Sequence, residues 1–102
     1  MSKLHENAEK GVAAAQNQLG RLYSLVEQDF KEAFKWFQKA ADQGIAEAQF
    51  YLGVMYAKGE GVQVGIGEAV KWYRKAAEQG HAHAQHKLGS MYGYGEGVQR
   101  DE

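Results

Sequence analysis

Apolar residues recur at helical spacings in two kinds of segment. In the first kind they lie at i, i+4, i+7 and i+8, as in Ala48, Leu52, Met55 and Tyr56. In the second kind they lie at i, i+3, i+4, i+7 and i+8, as in Ala69, Trp72, Tyr73, Ala76 and Ala77. Both spacings gather the apolar side chains on one face of an α-helix. The pattern predicts two amphipathic helices, called A and B in chain order, that pack against each other.

The chain repeats this pair of segments. Residues 36–44 read WFQKAADQG and residues 72–80 read WYRKAAEQG, an offset of 72 − 36 = 36 residues. The first unit matches the second at an offset of 44 − 11 = 33, so it lacks three residues between Tyr23 and Trp36. Helix pairs of about this length stack on their neighbours and bury a continuous core. The repeat therefore predicts an α-solenoid.

The repeat register also predicts where the helices lie. We expect A helices at about 12–24, 45–57 and 81–92, and B helices at about 29–43 and 66–79. Residues 3–10 match the end of a B helix. The predicted fold is all-α, a tetratricopeptide-like solenoid of antiparallel helix pairs with two to two and a half repeats and a partial helix at its N-terminus. We expect one domain over 1–102, with units at about 11–43, 44–79 and a truncated 80–102.

Residue types at the predicted helix ends agree with these boundaries. Gly44 and Gly80 stand where a left-handed residue ends a B helix. Asp29 is a suitable N-cap for the B helix that follows it. The second unit has Gly65 at the corresponding place and Gly67 two residues later. A glycine inside a helix costs about 0.5–1 kcal/mol relative to alanine, so we expect a weak start to this helix.

Composition and charge exclude several classes of protein. Lys plus Arg number 12 against 13 Asp plus Glu, a net charge of −1, which argues against a nucleic-acid or anionic-membrane surface. The charged residues of the B helices are spaced for ordinary i, i+3 and i, i+4 pairs on a solvated outer face. The absence of cysteine excludes disulfides and thiolate sites. The opening MSKLHENAEKG lacks the features of a secretory signal, so a cytoplasmic location is expected, although a trimmed signal remains an alternative.

The repeated motif resembles that of a known family. Its parts are A-x-A-Q-x-x-L-G-x-x-Y, then G-x-G-V, then E-A-x-K-W-x-x-K-A-A-x-Q-G, and they extend over nearly the whole chain. This pattern resembles the Sel-one-like repeats, relatives of the tetratricopeptide repeats. The resemblance implies an adaptor that binds a protein or peptide and has no catalytic activity or cofactor. Alternatives are a small inhibitor or immunity-like protein that blocks one toxin or enzyme and, less favoured, a metal-dependent enzyme.

Candidate chemistry in the sequence is sparse. The segment HAHAQH at residues 81–86 suggests a metal site, and His83 and His86 share one side of the predicted helix. Two ligands are too few for a zinc site, and the sequence offers one possible further ligand, Glu47 from the neighbouring unit. No serine has a neighbouring base in a nucleophile motif. We predict no metal, no cofactor and no catalytic residue.

A partner is expected on the concave side of the solenoid, which A helices line in tetratricopeptide-like proteins. Transferring the family pattern at the Leu-Gly and Tyr positions predicts a groove. Its residues are Asn17, Arg21, Glu47, Phe50, Val54, Lys58, His83, His86, Ser90 and Tyr94. Ala14, Ser24, Leu25 and Ala57 belong to the same predicted face. These positions differ between units while the Leu, Gly, Tyr and Trp positions do not. Phe50 is expected to be an exposed aromatic residue, and together with Arg21 and Tyr94 it belongs to the residue types enriched at interface hot spots.

The third A helix has no B helix of its own in this sequence. Leu88, Met91 and Tyr92 lie at i, i+3 and i+4 on it, in the positions of Leu52, Met55 and Tyr56. Each such side chain left in water forgoes about 1.5–3 kcal/mol. We therefore expect self-association at this edge, either as a two-fold dimer or head-to-tail onto the helix at residues 3–10. The alternative is that the chain's own tail folds over it.

Overall fold

Six α-helices follow one another in the computed structural model, which describes residues 3–94. They are α1 (Lys3–Glu9), α2 (Ala13–Leu25), α3 (Phe30–Asp42), α4 (Ala46–Lys58), α5 (Ile66–Glu78) and α6 (Ala82–Tyr94). No strand occurs within residues 3–94. The predicted all-α class is confirmed, and every helix begins and ends within two residues of its predicted bounds.

The helices stack in the order in which they occur along the chain. Helices α2 and α3 form one close A–B pair, and α4 and α5 form the next. Each B helix also packs on the A helix that follows it, so that α3 contacts α4 and α5 contacts α6. Helix α1 packs on α2 in the same way, as expected for the end of a B helix. The result is the predicted solenoid, with principal extents of 52 × 25 × 17 Å.

The core is an alternation of small and large side chains between the helix layers. Buried alanines recur along the helices, for example Ala33, Ala40 and Ala48, and they let the backbones approach closely. Trp36 packs with residues of α1 and α2, and Trp72 with residues of α3 and α4. Each tryptophan therefore joins adjacent layers of the stack, which is why the residue recurs in each unit.

Two glycines on A helices allow close contact with an aromatic ring of the B helix in the same pair. The ring of Phe37 lies against Gly20, and an added Cβ there would come 2.5 Å from the ring. The ring of Tyr73 lies against Gly53 in the same manner, at 2.6 Å. Real Cβ atoms do not approach so closely, so an aromatic side chain at this depth requires glycine opposite.

Buried glutamines link successive units by hydrogen bonds. Gln16 donates its Nε2 hydrogen to the carbonyl of Ala8 at 3.1 Å, and its Oε1 accepts from Nε2 of Gln43 at 2.9 Å. Gln49 likewise donates to Ala41 at 3.3 Å and accepts from Gln79 at 2.9 Å. These bonds satisfy polar groups that would otherwise be buried without partners.

Helix ends follow the residue types in the sequence. The carboxylate of Asp29 accepts a hydrogen bond from the backbone N–H of Glu32 at 3.2 Å, which confirms it as the N-cap of α3. Gly44 has φ of 93°, and the following Ile45 donates its N–H to the carbonyl of Ala40, a Schellman ending. Helix α5 starts after Gly65 with no side-chain cap.

Replacing Gly67 with alanine is expected to stabilise the protein by about 0.5–1 kcal/mol, because Gly67 is helical and an added Cβ would meet no atom of the described residues within 4 Å. Urea unfolding measures the change. Gly44→Ala is the control of opposite sign, since its left-handed backbone disfavours alanine by about 1–2 kcal/mol. An unchanged or lower stability of Gly67→Ala would show that the start of α5 is not a weak point.

Candidate partner-binding surface

The predicted groove residues lie on α2, α4 and α6, and two of them, Phe50 and Val54, pack against the core cluster of Ala69, Val70, Tyr73 and Met91. We call the surface formed by the groove residues the A-helix face. Five of the residues are partly buried: Asn17, Glu47, Phe50, Val54 and Ser90. Four are exposed: Arg21, Lys58, His83 and His86. The side chain of Tyr94 lies outside the described residues.

The first two units are connected across the A-helix face by a polar contact. Nδ2 of Asn17 donates a hydrogen bond to Oε1 of Glu47 at 2.6 Å. The same oxygen lies 3.9 Å from a guanidinium nitrogen of Arg21, whose side chain is half exposed. An exposed ion pair at this distance contributes little to stability. The guanidinium of Arg21 therefore remains available to a partner.

An aromatic and imidazole cluster occupies the junction of the second and third units. The ring of Phe50 stacks on His81 with ring centres 4.8 Å apart, and His83 lies 6.0 Å from both rings. Phe50 also contacts Tyr51 and Tyr73. The sequence interpretation of Phe50 as an exposed aromatic residue is therefore wrong, because these rings on α4, α5 and α6 cover part of it. His81, which the groove prediction omitted, is a central member.

His81 also caps helix α6. The backbone N–H of Ala84 donates a hydrogen bond to Nδ1 of His81 at 3.2 Å, so this nitrogen carries no proton. Val12 and Ile45 hold the same place before α2 and α4 and provide no side-chain cap. The third unit has His81 where the first two units have an apolar residue, and this difference is the sequence signal that could have identified the cap.

Acid is expected to destabilise the protein through His81. Burial of the ring, followed by the charge of His83, lowers the pKa of His81 from its ordinary 6.5, against an opposing effect of Glu47. The unfolded chain then binds this proton more readily, so the contribution to stability is complete above pH 6.5 and decreases as the pH falls below it. Protonation also removes the acceptor that caps α6.

Urea unfolding between about pH 7.5 and about pH 5.5 tests this expectation. The variant His81→Asn keeps a capping side chain that does not titrate, and it should show a smaller loss of stability across this range. His86→Asn is the matched control, because it removes an exposed histidine from the helix that His81 caps. Equal pH dependence in the wild type and His81→Asn would contradict the role of His81.

Three of the depressions lined by described residues border the C-terminal halves of the A helices, and Leu4 of α1, Phe30 of α3 and Tyr73 of α5 contribute to their linings. The first is about 300 Å³ in volume and lies at the end of α2, between Leu4 and Leu25. The second is about 270 Å³ and lies between Leu25 and Lys58. The third is about 200 Å³ and lies between Ala57 and Lys87. Leu25 lines both the first and the second, so these two are adjacent.

Apolar side chains project into solvent beside the first depression. Leu25 is 60% exposed and Val26 is 69% exposed, and Leu22 is also exposed. The groove prediction includes Leu25 but not Leu22 or Val26. Leu22 holds the repeat position that the buried Met55 holds in the second unit. The repeat pattern therefore did not predict the exposure of Leu22. Val26 stands where the second unit has Gly59, and this difference between units was the sequence signal that could have identified Val26 as part of the surface.

The predicted self-association edge is only partly exposed. Met91 is buried among Ala69, Val70 and Tyr73, so it is not available at this edge. The reason is that this position packs on the preceding B helix, here α5. Leu88 is partly exposed. The side chain of Tyr92 lies outside the described residues.

Within residues 3–94, the structure contains no group of three or more His, Cys, Asp or Glu side chains that could hold a metal ion. Over the same residues, no helix has both the length and the apolar character needed to cross a membrane.

Comparison with known proteins identifies the repeat. A sequence model of the Sel1 repeat matches residues 13–45, 46–81 and 82–102. A rat protein, DAP3-binding cell death enhancer 1 from Rattus norvegicus, is 40% identical over 68 residues, which are 66% of this chain and 13% of that protein. The chain therefore spans a small part of this curated relative.

Solved structures of two bacterial proteins share the fold. A Sel1 repeat protein from Oxalobacter formigenes is 48% identical, with a TM-score of 0.86 over 90% of this chain and 39% of that one. The protective antigen c5321 of uropathogenic Escherichia coli, which displays an SLR fold, is 44% identical, with a TM-score of 0.92 over 96% of this chain and 22% of that one. The matches agree with the helix pairs described above, and the chain belongs to the Sel1 repeat family.

Proposed function

We propose that this protein is a binding module that holds a protein or peptide partner on its A-helix face. Sel1 repeat proteins generally mediate protein–protein interactions and are typically non-catalytic scaffolds. The observation that carries the proposal is the set of three depressions along α2, α4 and α6, with exposed apolar side chains in the linings of the first two. Surface concavities with exposed apolar side chains are typical of interaction sites.

The opposite surface of the solenoid offers a weaker site. Nζ of Lys35 lies 2.9 Å from a carboxylate oxygen of Glu32, and Nζ of Lys71 lies 3.4 Å from one of Glu68. Lys71 also lies 5.3 Å from the centre of the Trp72 ring. These side chains are paired within their own helices, and charged residues of this kind are depleted from interface cores.

Site-specific photo-crosslinking in lysate of the source cells tests the proposal. A benzophenone side chain placed at Leu25 or Val54 should capture a partner, and the same side chain at Lys71 on the outer face should not. Captured partners are identified by mass spectrometry. Efficient capture from Lys71 with none from Leu25 or Val54 would place the partner on the B helices and contradict the proposal.

We also propose that the chain associates with a second copy through α6. Leu88 is partly exposed, whereas Leu19 and Leu52 at the same place in the other units are fully buried. Among the described residues, no atom lies within 4 Å of a Cβ added at Gly89, and Gln85 is exposed. An aromatic ring and a glutamine from the next B helix cover this place in the first two units.

Light scattering after size exclusion, at two concentrations tenfold apart, tests this association. A mass that rises with concentration and returns to that of the monomer in Leu88→Glu is expected. The control Val64→Glu introduces the same charge at an exposed loop residue. A monomer mass at both concentrations would contradict the association and leave the binding of other partners unaffected.

A further inference from the structure

Each depression of the A-helix face has one basic side chain in its lining. Arg21 lines the first, Lys58 the second and Lys87 the third. All three residues are exposed. They lie on successive A helices, so the positive charges form a row across the face. The chain as a whole carries a net charge of −1, so this row does not reflect an excess of basic residues in the composition.

Negative charge beside these basic residues is limited. Among the described residues that line the three depressions, Glu60 is the single anion, and it lies at the second depression with Lys58. Glu47 lies 3.9 Å from Arg21, but it also accepts a short hydrogen bond from Asn17. Burial raises the pKa of Tyr73, in the third depression, to about 12, so its phenol adds no negative charge near neutral pH.

The remaining lining of the depressions is mostly apolar. Leu4, Leu22 and Leu25 line the first, and Leu25 and Val54 contribute to the second. Ala57 and Met91 contribute to the third. An apolar lining beside a cation is complementary to a ligand that carries both apolar side chains and carboxylates. The apolar side chains would bury the apolar lining, and the carboxylates would pair with the cation.

We propose that the partner segment is an acidic peptide whose apolar side chains enter the depressions while its carboxylates contact Arg21, Lys58 and Lys87. This inference rests on the proposed function and adds the chemistry of the partner. An extended chain advances about 3.3 Å per residue, so a segment of about ten residues spans about 33 Å. This is a large part of the 52 Å length of the solenoid.

Two synthetic peptides labelled with fluorescein provide the probe. In one, glutamates are interspersed with leucine and phenylalanine over about ten residues, and in the other each glutamate is replaced by lysine. Fluorescence anisotropy should show that the acidic peptide binds at least tenfold more tightly than the basic one. Added salt should weaken binding of the acidic peptide, because exposed charges are screened at high ionic strength. Equal affinity of the two peptides would overturn the proposal.

Charge reversal locates the effect on the protein. Arg21→Glu, Lys58→Glu and Lys87→Glu should each weaken binding of the acidic peptide about three- to tenfold, as expected for one contact between exposed charges. Lys39→Glu makes the same charge change on α3, where Lys39 is exposed beside Trp36, and should leave the affinity unchanged. Equal weakening by Lys39→Glu would mean that only net charge matters, and the proposal would be wrong.

The two proposals fail in different ways. If Leu25→Ser weakens both peptides equally and the charge reversals have no effect, the A-helix face binds peptides without preference for acid, and only the present inference is wrong. If neither peptide binds, the acidic-peptide proposal is likewise wrong, while the photo-crosslinking experiment separately decides whether this face binds another partner.

Discussion

Replacing Trp36 or Trp72 with alanine is expected to lower the free energy of unfolding by about 3–5 kcal/mol, the usual range for a core tryptophan. Trp36 is 4% exposed and Trp72 is 7% exposed. Each packs with helices of adjacent layers, so the cavity left by alanine would lie between units and could not be closed by one side chain. Urea unfolding followed by circular dichroism measures the change, since the variants lose a fluorophore.

Trp36→Phe is the matched control. Nε1 of Trp36 is buried and has no hydrogen-bond partner within residues 3–94, so phenylalanine removes an unsatisfied donor while it keeps most of the apolar contact. Its loss of stability should therefore be much smaller than that of Trp36→Ala. Losses below about 1 kcal/mol for both alanine variants would contradict the position of the tryptophans in the core.

Alanine at Gly20 or Gly53 is expected to destabilise the protein by about 1–3 kcal/mol, although alanine favours helices. The added methyl group would lie 2.5 Å from the ring of Phe37 or 2.6 Å from the ring of Tyr73. The ring cannot move freely, because Phe37 also stacks on Tyr51 with ring centres 4.8 Å apart. The helix pair must therefore separate or the ring must leave its preferred rotamer.

Gly89→Ala is the control, because Gly89 holds the same place on α6 and no atom of residues 3–94 lies within 4 Å of a Cβ added there. This change should stabilise the protein by about 0.5–1 kcal/mol through helix propensity alone. Thermal or urea unfolding of the three variants gives the comparison. Similar changes in the free energy of unfolding at all three glycines would show that the aromatic rings are not the cause of the stability loss at Gly20 and Gly53.

Much of the solenoid was predictable because many residues at equivalent positions of the repeat make similar core contacts in successive units. A helical period identifies which side of each segment is apolar, and the offset of about 36 residues identifies which segments are equivalent. The same reasoning located the cap at Asp29 and the left-handed residue at Gly44, since both depend on the backbone of a few neighbouring residues. Such local features require no knowledge of the rest of the fold.

The candidate site was predictable only in outline. The A helices and their variable positions follow from the repeat, but the surroundings of a variable position come from other units. Phe50 is partly covered because rings on α5 and α6 reach it, and His81 is important because its own ring turns back onto α6. These contacts depend on side-chain directions that a one-dimensional pattern does not contain.

The sequence by itself determined the helices, their order and the solenoid, because helical periodicity and repetition are properties of the chain read residue by residue. The tertiary structure alone decided the exposure of Leu22 and the burial of Met91. Leu22 and Met91 hold equivalent places in their units, yet the second packs on α5 while the first lies beside the short helix α1. Burial is set by the neighbour that a residue meets in space, and equivalent places in a repeat do not always meet equivalent neighbours.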